Sequence, residues 1–292
     1  MNENILEFKN ISKSYSTVQA LKNISFSIPE NSIFGILGEN GSGKSTFMKI
    51  LPGLIYDWSG EIYYNNHQVS KHDLALKDDF GYLIEAPTFY EHLSAQKNLE
   101  MLARISNSKS DSIEYVLDLV ELSGRSHDKV DSYSYGMKQR LGIAQALLHD
   151  PQVIVLDEPN NGLDPNGIDD MTRLIKKLKS DGKTICLSTH NLRDVEEICT
   201  DFTVFQNGKN SKPSSIENQL LNSKRWVLNV DNVDEVLLEV KKNESIQYIS
   251  SFNNNIIIEI DTPDTFNFLS DLLKDYKVYK ISKDSNLIEY FK

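Results

Sequence analysis

The stretch Gly38-Glu39-Asn40-Gly41-Ser42-Gly43-Lys44-Ser45-Thr46, entered from an apolar run that ends at Leu37, constrains the fold more than any other part of the chain. It fits the P-loop pattern, in which a strand runs into a glycine-rich turn and then a helix. Successive backbone N–H groups must converge on phosphate oxygens, and glycine lets the backbone come that close. The helix N-terminus adds partial positive charge. In such a loop Lys44 neutralises the β- and γ-phosphates and the Ser45 hydroxyl ligates Mg²⁺. Gly38, Asn40, Gly41, Ser42, Gly43, Lys44, Ser45 and Thr46 are therefore the expected nucleotide-binding residues. A glycine-rich turn with no ligand explains the glycines but not Lys-Ser at that offset.

A P-loop also needs a metal-holding carboxylate at the end of another strand. Val153-Ile154-Val155-Leu156-Asp157-Glu158 supplies one, with a second acid beside it. Asp157 is expected to hold Mg²⁺, directly or through water, and Glu158 to polarise the water that attacks the γ-phosphorus. Taken alone, two acids after a buried strand read equally well as a solvated turn.

Around these motifs the chain alternates strand-like and helical stretches. ILEF, ISFSI and SIFGILG read as strands, followed by a helix after Lys44, as in a layered α/β domain. The rhythm changes over roughly residues 86–149. Ser94 to Ile105 reads as a helix there, and Ile113, Val116, Leu117 and Val120 recur at helical spacing behind Asp111, an expected N-cap with Glu114 three positions on. A mostly helical insertion is expected over that span. Alternation then resumes: VIVLD is a buried strand, Pro165 to Ser180 a helix with Ile168, Met171, Leu174, Ile175 and Leu178 inward, and TICLS another strand, with Gly182 as the helix stop.

Turn-forming residues in NGKNSKPSS predict a linker. The expected division is residues 1–213 and residues 214–292. In the second part RWVLNV, SIQYIS, NIIIEI and KVYKI read as strands. Helices carrying Val233, Val236, Leu237 and Val240, then Phe266, Leu269 and Leu273, lie between them, giving the β-α-β-β-α-β order of a ferredoxin-like split βαβ.

A formal net charge of -11 over 292 residues opposes nucleic-acid binding, which depends on Lys and Arg displacing counterions from phosphates. Every apolar stretch is interrupted before the length of about 20 residues that a membrane helix needs. The start, MNENILEFKN, lacks the basic and apolar segments of a secretory signal. Cys186 and Cys199 are the only cysteines and read as buried small residues. The expectation is a soluble cytoplasmic protein.

The remaining motifs carry a family resemblance. Ser134-Tyr135-Gly136-Met137-Lys138-Gln139-Arg140 resembles the ABC signature, usually LSGGQ-like, and lies about twenty residues before the Asp157-Glu158 pair; Asn161-Gly162-Leu163-Asp164 resembles the D-loop; and Ser188-Thr189-His190 ends a strand as the switch histidine does. Over roughly residues 3–213 the chain resembles an ABC-type nucleotide-binding subunit. The resemblance implies a P-loop NTPase core with a helical subdomain, ATP and Mg²⁺ as ligands, and ATP hydrolysis. It also implies a homodimer or pseudo-dimer of such subunits docked at the inner face of the cell membrane on separate permease subunits.

By the same resemblance, Ser134 and the Gly136 backbone reach across the dimer to the γ-phosphate on the partner's P-loop, Asp164 belongs to the nucleotide-binding set, and His190 touches the γ-phosphate and holds the attacking water. Tyr15 matches the aromatic that stacks on adenine, an interaction worth roughly 1–3 kcal/mol. Tyr135 and Met137 depart from consensus, as does Glu85 where most relatives place the Q-loop glutamine. With Glu85 joining the metal and catalytic sets, and with FYEHLSAQKNL following it, the chain resembles exporters of the lantibiotic-immunity and bacitracin-resistance type. The competing reading is a soluble ABC ATPase of translation or DNA repair. Those relatives carry two cassettes or long coiled-coil or metal-binding insertions, none of which this sequence shows. A non-catalytic scaffold is disfavoured by the presence of both Glu158 and His190.

Overall fold

The computed structural model describes residues 3–70, 79–105, 111–260, 265–285 and 287. Two compact units result, Met1–Ser214 and Ser215–Lys292.

The first unit opens with an antiparallel hairpin of β1 (Asn4–Tyr15) and β2 (Val18–Pro29). β3 (Ile33–Gly38) follows, buried at every position, and leads through the glycine-rich loop into α1 (Lys44–Met48). The helix predicted after Lys44 is thus only five residues long. Its chain turns at Leu51-Pro52-Gly53, where Gly53 takes φ 71°, because proline has no N–H to extend the helix and glycine accepts the left-handed turn. β4 (Ser59–Tyr64) and β5 (His67–Val69) extend the hairpin into an antiparallel sheet of order β2-β1-β4-β5 among the described residues.

After β6 (Phe80–Leu83) come α2 (Ala95–Ile105) and α3 (Asp111–Leu119). Ile113, Val116 and Leu117 are buried on α3, and Val120 just beyond its end is buried too, so the helical spacing marks the inward face. The cap expected of Asp111 lies outside the described side chains. α4 (Tyr135–Leu147) precedes β7 (Val153–Asp157), α5 (Pro165–Ser180), β8 (Thr184–Thr189), α6 (Leu192–Ile198), β9 (Asp201–Gln206) and β10 (Lys209–Asn210). On α5 Met171, Leu174, Ile175 and Leu178 are buried, but Ile168 in its first turn is only half-buried. Gly182 adopts φ 87° just past that helix.

These strands form the second sheet in the order β10-β9-β3-β8-β7-β6, with β9, β3, β8, β7 and β6 parallel. A sheet covered on both faces buries its central strands along their length: β3 and Val153–Leu156 of β7 are apolar throughout, and β8 is buried at every position with Thr184, Ser188 and Thr189 polar at its ends. Phe8, Phe26, Phe34, Phe47 and Phe205 cluster in the core between the sheets, with Phe47 of α1 4.8 Å from Phe8 and 5.5 Å from Phe205 by ring centroids. That anchor fixes α1, and with it the start of the phosphate loop. Cys186 and Cys199 are both buried, and burial pushes the Cys186 thiol up to about 12.

The segment read as a linker is instead partly structural. Asn207 and Gly208, at φ 52° and 77°, form the turn of a β9-β10 hairpin, and Asn210 exchanges hydrogen bonds with the Ser25 backbone. Asn-Gly is a linker signal and a hairpin signal alike. The hairpin reading prevails because β9 has a neighbour to pair with.

The second unit contains α7 (Ile216–Asn222), β11 (Arg225–Val230), α8 (Val233–Lys242), β12 (Gln247–Phe252), β13 (Asn255–Glu259), α9 (Thr265–Leu272) and β14 (Val278–Lys283). The sheet is antiparallel in the order β12-β13-β11-β14, the split βαβ arrangement. Trp226, Leu228, Val230, Ile256 and Ile258 form its buried face, joined by Val236, Val240, Leu269 and Leu273. Of the helical pattern Phe266, Leu269 and Leu273, the last two are buried and Phe266 is exposed.

Candidate functional site

Four neighbouring parallel strands end on one edge of the second sheet, and each delivers a motif there. β3 ends in the glycine-rich loop, β8 at Thr189-His190, β7 at Asp157-Glu158, and β6 two residues before Glu85. The registers Leu37↔Thr189 and Asp157↔Ser188 keep these ends level. Crevices outside the carboxyl ends of parallel strands are where such sheets bind ligands.

Gly43 is the N-cap of α1 at φ 111°, and a methyl there would lie 2.7 Å from the Ala20 carbonyl oxygen. Only glycine takes that conformation at that distance. Asn40, Gly41, Gly43, Lys44, Ser45 and Thr46 line a cavity of about 340 Å³ together with Val18, Gln19, Ala20, Lys22, Asn207 and Gly208. Gly38 and Ser42 are not in that lining. Gly38 packs against Ser42 and Phe205, and the buried Ser42 offers its carbonyl to the Gly208 N–H at 3.1 Å. The Lys44 ammonium, almost wholly buried, donates to the carbonyls of Gly38 (2.8 Å) and Glu39 (3.2 Å) and lies 3.4 Å from Glu158 Oε1. These are acceptors for which phosphate oxygens are chemical substitutes.

Glu158 stands in the left-handed region at φ 48°, its N–H directed to the Ser188 hydroxyl and carbonyl. Its side chain is 19% exposed and spans two partners, Lys44 on one oxygen and His190 Nδ1 at 3.0 Å on the other. The structure therefore joins Lys44, Glu158 and His190 from three separate strand ends. Asp157 accepts the Ser188 hydroxyl on Oδ1 and, among the described residues, no hydrogen bond on Oδ2. Burial is the chief influence raising its carboxyl above the ordinary value, against the lowering effect of the Ser188 hydrogen bond. Asp194, buried, accepts from the Thr189 hydroxyl and the Asn191 amide on either side of His190, which holds that turn in place.

Glu85, at φ 63°, is paired with Lys49 at 2.5 Å, one helical turn beyond Ser45. The hydrogen bond from Lys49 holds the Glu85 carboxyl below its usual value. Glu85 thus has an ammonium beside it, where the sequence reading gave it a place in the metal set. Ser134 caps α4, its hydroxyl accepting from the Met137 N–H at 3.3 Å, and Gly136 lies in the first turn. Asp164 is likewise a cap, accepting from the Gly167 N–H at 2.8 Å with Pro165 behind it. The geometry gives that carboxylate a helix-starting role.

Tyr15 ends β1 and is exposed, with the Lys13 ammonium 4.3 Å from its ring centre. The cavity lining contains Val18, across the hairpin turn, and not Tyr15. The sequence reading missed Lys22, Asn207, Gly208 and Lys49. The Asn207-Gly208 pair is the one signal the sequence offers for them, and it reads equally as a linker.

A family model for ABC transporters matches residues 21–161. The chain is 34% identical over 262 residues to an uncharacterized ABC transporter ATP-binding protein, YdbJ of Bacillus subtilis (strain 168), covering 89% of this chain and 84% of the relative. It is 39% identical over 201 residues to the lantibiotic transport ATP-binding protein SrtF of Streptococcus pyogenes, covering 69% and 86%. To the bacitracin transport ATP-binding protein BcrA of Bacillus licheniformis it is 38% identical over 207 residues, covering 70% and 68%. Among solved structures, a dimeric ATP-binding cassette in a post-hydrolysis state bound to ADP and Pi superposes with a TM-score of 0.64 at 26% identity, covering 72% of this chain and 98% of the other.

Proposed function

The chain belongs to the ABC transporter family as an ATP-binding, ATP-hydrolysing subunit, and on that premise we propose that it powers export of a peptide antibiotic or bacteriocin through separate membrane subunits. The observation that carries the catalytic part is the Glu158 carboxylate held between Lys44 and His190 at the ends of adjacent strands. Support for the substrate class is the identity to relatives named for lantibiotic and bacitracin transport, along with Glu85 in place of glutamine. Among the described residues no helix is long and apolar enough to cross a membrane.

In this reading the glycine-rich loop binds the phosphates through backbone N–H groups, with Lys44 exchanging protein acceptors for phosphate oxygens. Glu158 accepts the proton of the attacking water, and His190 fixes the carboxylate's orientation through Oε2. Ser45 and Asp157 fit Mg²⁺: one lines the phosphate cavity, and the other keeps an oxygen clear of hydrogen bonds among the described residues. A hard cation takes such oxygens. When bound, Mg²⁺ supplies charge neutralisation for the phosphates. Ser134 and Gly136 act on the nucleotide held by a second subunit, so two chains make each working site. Residues 214–292 form an accessory domain that regulates or stabilises that dimer.

The test is purification of the tagged chain from detergent-solubilised membranes, followed by reconstitution with whatever integral membrane protein comes with it. A co-purifying membrane protein whose complex shows ATPase stimulated by bacitracin or a lantibiotic is expected. Purification of the chain alone from its native host, with no membrane partner, would contradict the transporter reading.

A further inference from the structure

The resemblance leads one to expect glycine where Tyr135 stands, and the contact Tyr135 makes is within its own chain. A methyl placed on Gly162 would lie 3.1 Å from Tyr135 Cε1 and 3.6 Å from Cδ1, so the ring covers that glycine. One residue along on each side, a methyl on Gly136 would lie 3.4 Å from Leu163 Cδ2. The first turn of α4 and the loop after Glu158 thus touch at two successive positions. The ring is also tied at its tip, where the phenol oxygen accepts a hydrogen bond from Gln139 Nε2 at 3.0 Å. Gln139 is buried one helical turn on, so Tyr135 is fixed to α4 at both ends.

We propose that Tyr135 is a positioning residue that couples the two half-sites of one chain: the Ser134–Gly136 turn, which serves the partner's nucleotide, and Glu158, which serves the chain's own. The coupling rests on the two-chain site proposed above. Gly162 lies four residues beyond Glu158, and the intervening backbone has little slack. Asn161 N–H donates to the Glu158 carbonyl at 3.0 Å and Leu163 N–H to the Asn160 carbonyl at 3.3 Å, two consecutive tight turns. A shift of the ring therefore moves Gly162 and, through those turns, the residue that carries the carboxylate. Unused hydrogen-bonding capacity sits on the same two segments. Gln139 Oε1 and both ends of the Asn160 amide are buried with no partner among the described residues. Buried polar atoms without partners are costly, which favours a second arrangement of α4 against this loop once Ser134 and Gly136 engage a phosphate. A contact with two arrangements, each biased by a different nucleotide, is what coupling between sites requires.

The experiment compares Tyr135→Ala and Tyr135→Phe in the full chain by amide hydrogen exchange without nucleotide, by steady-state ATPase, and by binding of a fluorescent ATP analogue. Tyr135→Ala should speed exchange at the Asn161 and Leu163 amides by about tenfold, since local opening governs that rate. It should lower kcat by about tenfold and bring the Hill coefficient for ATP toward 1, while analogue affinity stays within about twofold, the pattern of a lost contact that matters after binding. Tyr135→Phe keeps the ring over Gly162 but removes the acceptor of the buried Gln139 amide, so its losses should be clearly smaller than those of Tyr135→Ala in every measurement. Tyr135→Ala with parental exchange, kcat and Hill coefficient overturns the proposal. Equal losses in the two variants overturn the role of the ring, because the hydroxyl would then carry the effect. A parent chain that hydrolyses ATP as a monomer overturns the coupling alone, since the exchange measurement still reads the contact.

Discussion

Glu158→Gln separates two effects that the structure sets in opposition. The carboxylate lies 3.4 Å from the Lys44 ammonium and 3.0 Å from His190 Nδ1, with only 19% of its side chain exposed. At 3.4 Å and an effective dielectric constant of about 20, the attraction between Lys44 and Glu158 is about 5 kcal/mol before the cost of desolvating both groups. Bound phosphates compete with the carboxylate for that same ammonium, so removing its charge relieves the competition. Nucleotide affinity should hold or rise, by up to about tenfold once desolvation has offset most of the gross attraction. Chemistry should move the other way, because a positioned base contributes about 10²–10⁴ in rate, or about 2.7–5.5 kcal/mol of barrier. The variant is therefore expected to bind ATP at least as well as the parent, to accumulate as an ATP-bound dimer on gel filtration, and to release phosphate at least about 100-fold more slowly. Hydrolysis within about threefold of the parent would remove Glu158 from the chemistry. Lost ATP binding would show that the Lys44 contact supports the loop and does not compete for it.

Three further outcomes follow from particular contacts. Gly208→Ala places a methyl 2.8 Å from the Ala20 carbonyl oxygen at φ 77°, and the left-handed backbone alone costs about 1–2 kcal/mol. Tm should fall by several degrees and fluorescent-nucleotide affinity should drop, because Gly208 N–H holds the Ser42 carbonyl; unchanged affinity would detach this turn from the phosphate loop. The Glu85 carboxyl, lowered chiefly by its hydrogen bond from Lys49, should titrate below the ordinary glutamate range by carbon NMR. Because the folded value is depressed, the pair is present above the ordinary value and lost as pH falls through the lowered one. Lys49→Met should return Glu85 to the ordinary range, and identical titration in both proteins would mean the pair does not form in solution. Deleting residues 216–292 should leave nucleotide affinity within about twofold, given two compact units; lost binding would contradict an accessory role.

What the sequence discloses about this site follows how local each constraint is. Gly43 and Lys44 are legible because one short segment must satisfy backbone approach, charge and helix start together. Asp157 and Glu158 become legible only once the phosphate loop is recognised, and His190 only from its order in the family pattern. Gly208 and Lys22 are hidden because their place depends on β9 pairing with β3, far apart in sequence: Phe34 lies against Asp201 and Gly38 against Phe205. No local pattern encodes that pairing. Tyr15 is legible only through the family pattern: an aromatic residue at the expected spacing points to adenine, and the structure leaves it exposed at the end of β1, opposite Val18 of the cavity lining. Lys49 reads as a surface lysine, since nothing near it in sequence shows that β6 ends beside α1.

The central claim is that each working site is built from two chains, with Lys44 and Ser134 acting on one nucleotide from opposite subunits. It is tested most directly by single-turnover hydrolysis in a purified heterodimer of one Lys44→Ala chain and one Ser134→Arg chain. Both lesions then fall on the same composite site and leave the other undamaged. The account predicts up to one ATP hydrolysed per heterodimer, at a rate within about tenfold of the parental single-turnover rate because the damaged site no longer couples to the intact one, while either homodimer hydrolyses none. A heterodimer, verified as such, that is as inactive as both homodimers would contradict it.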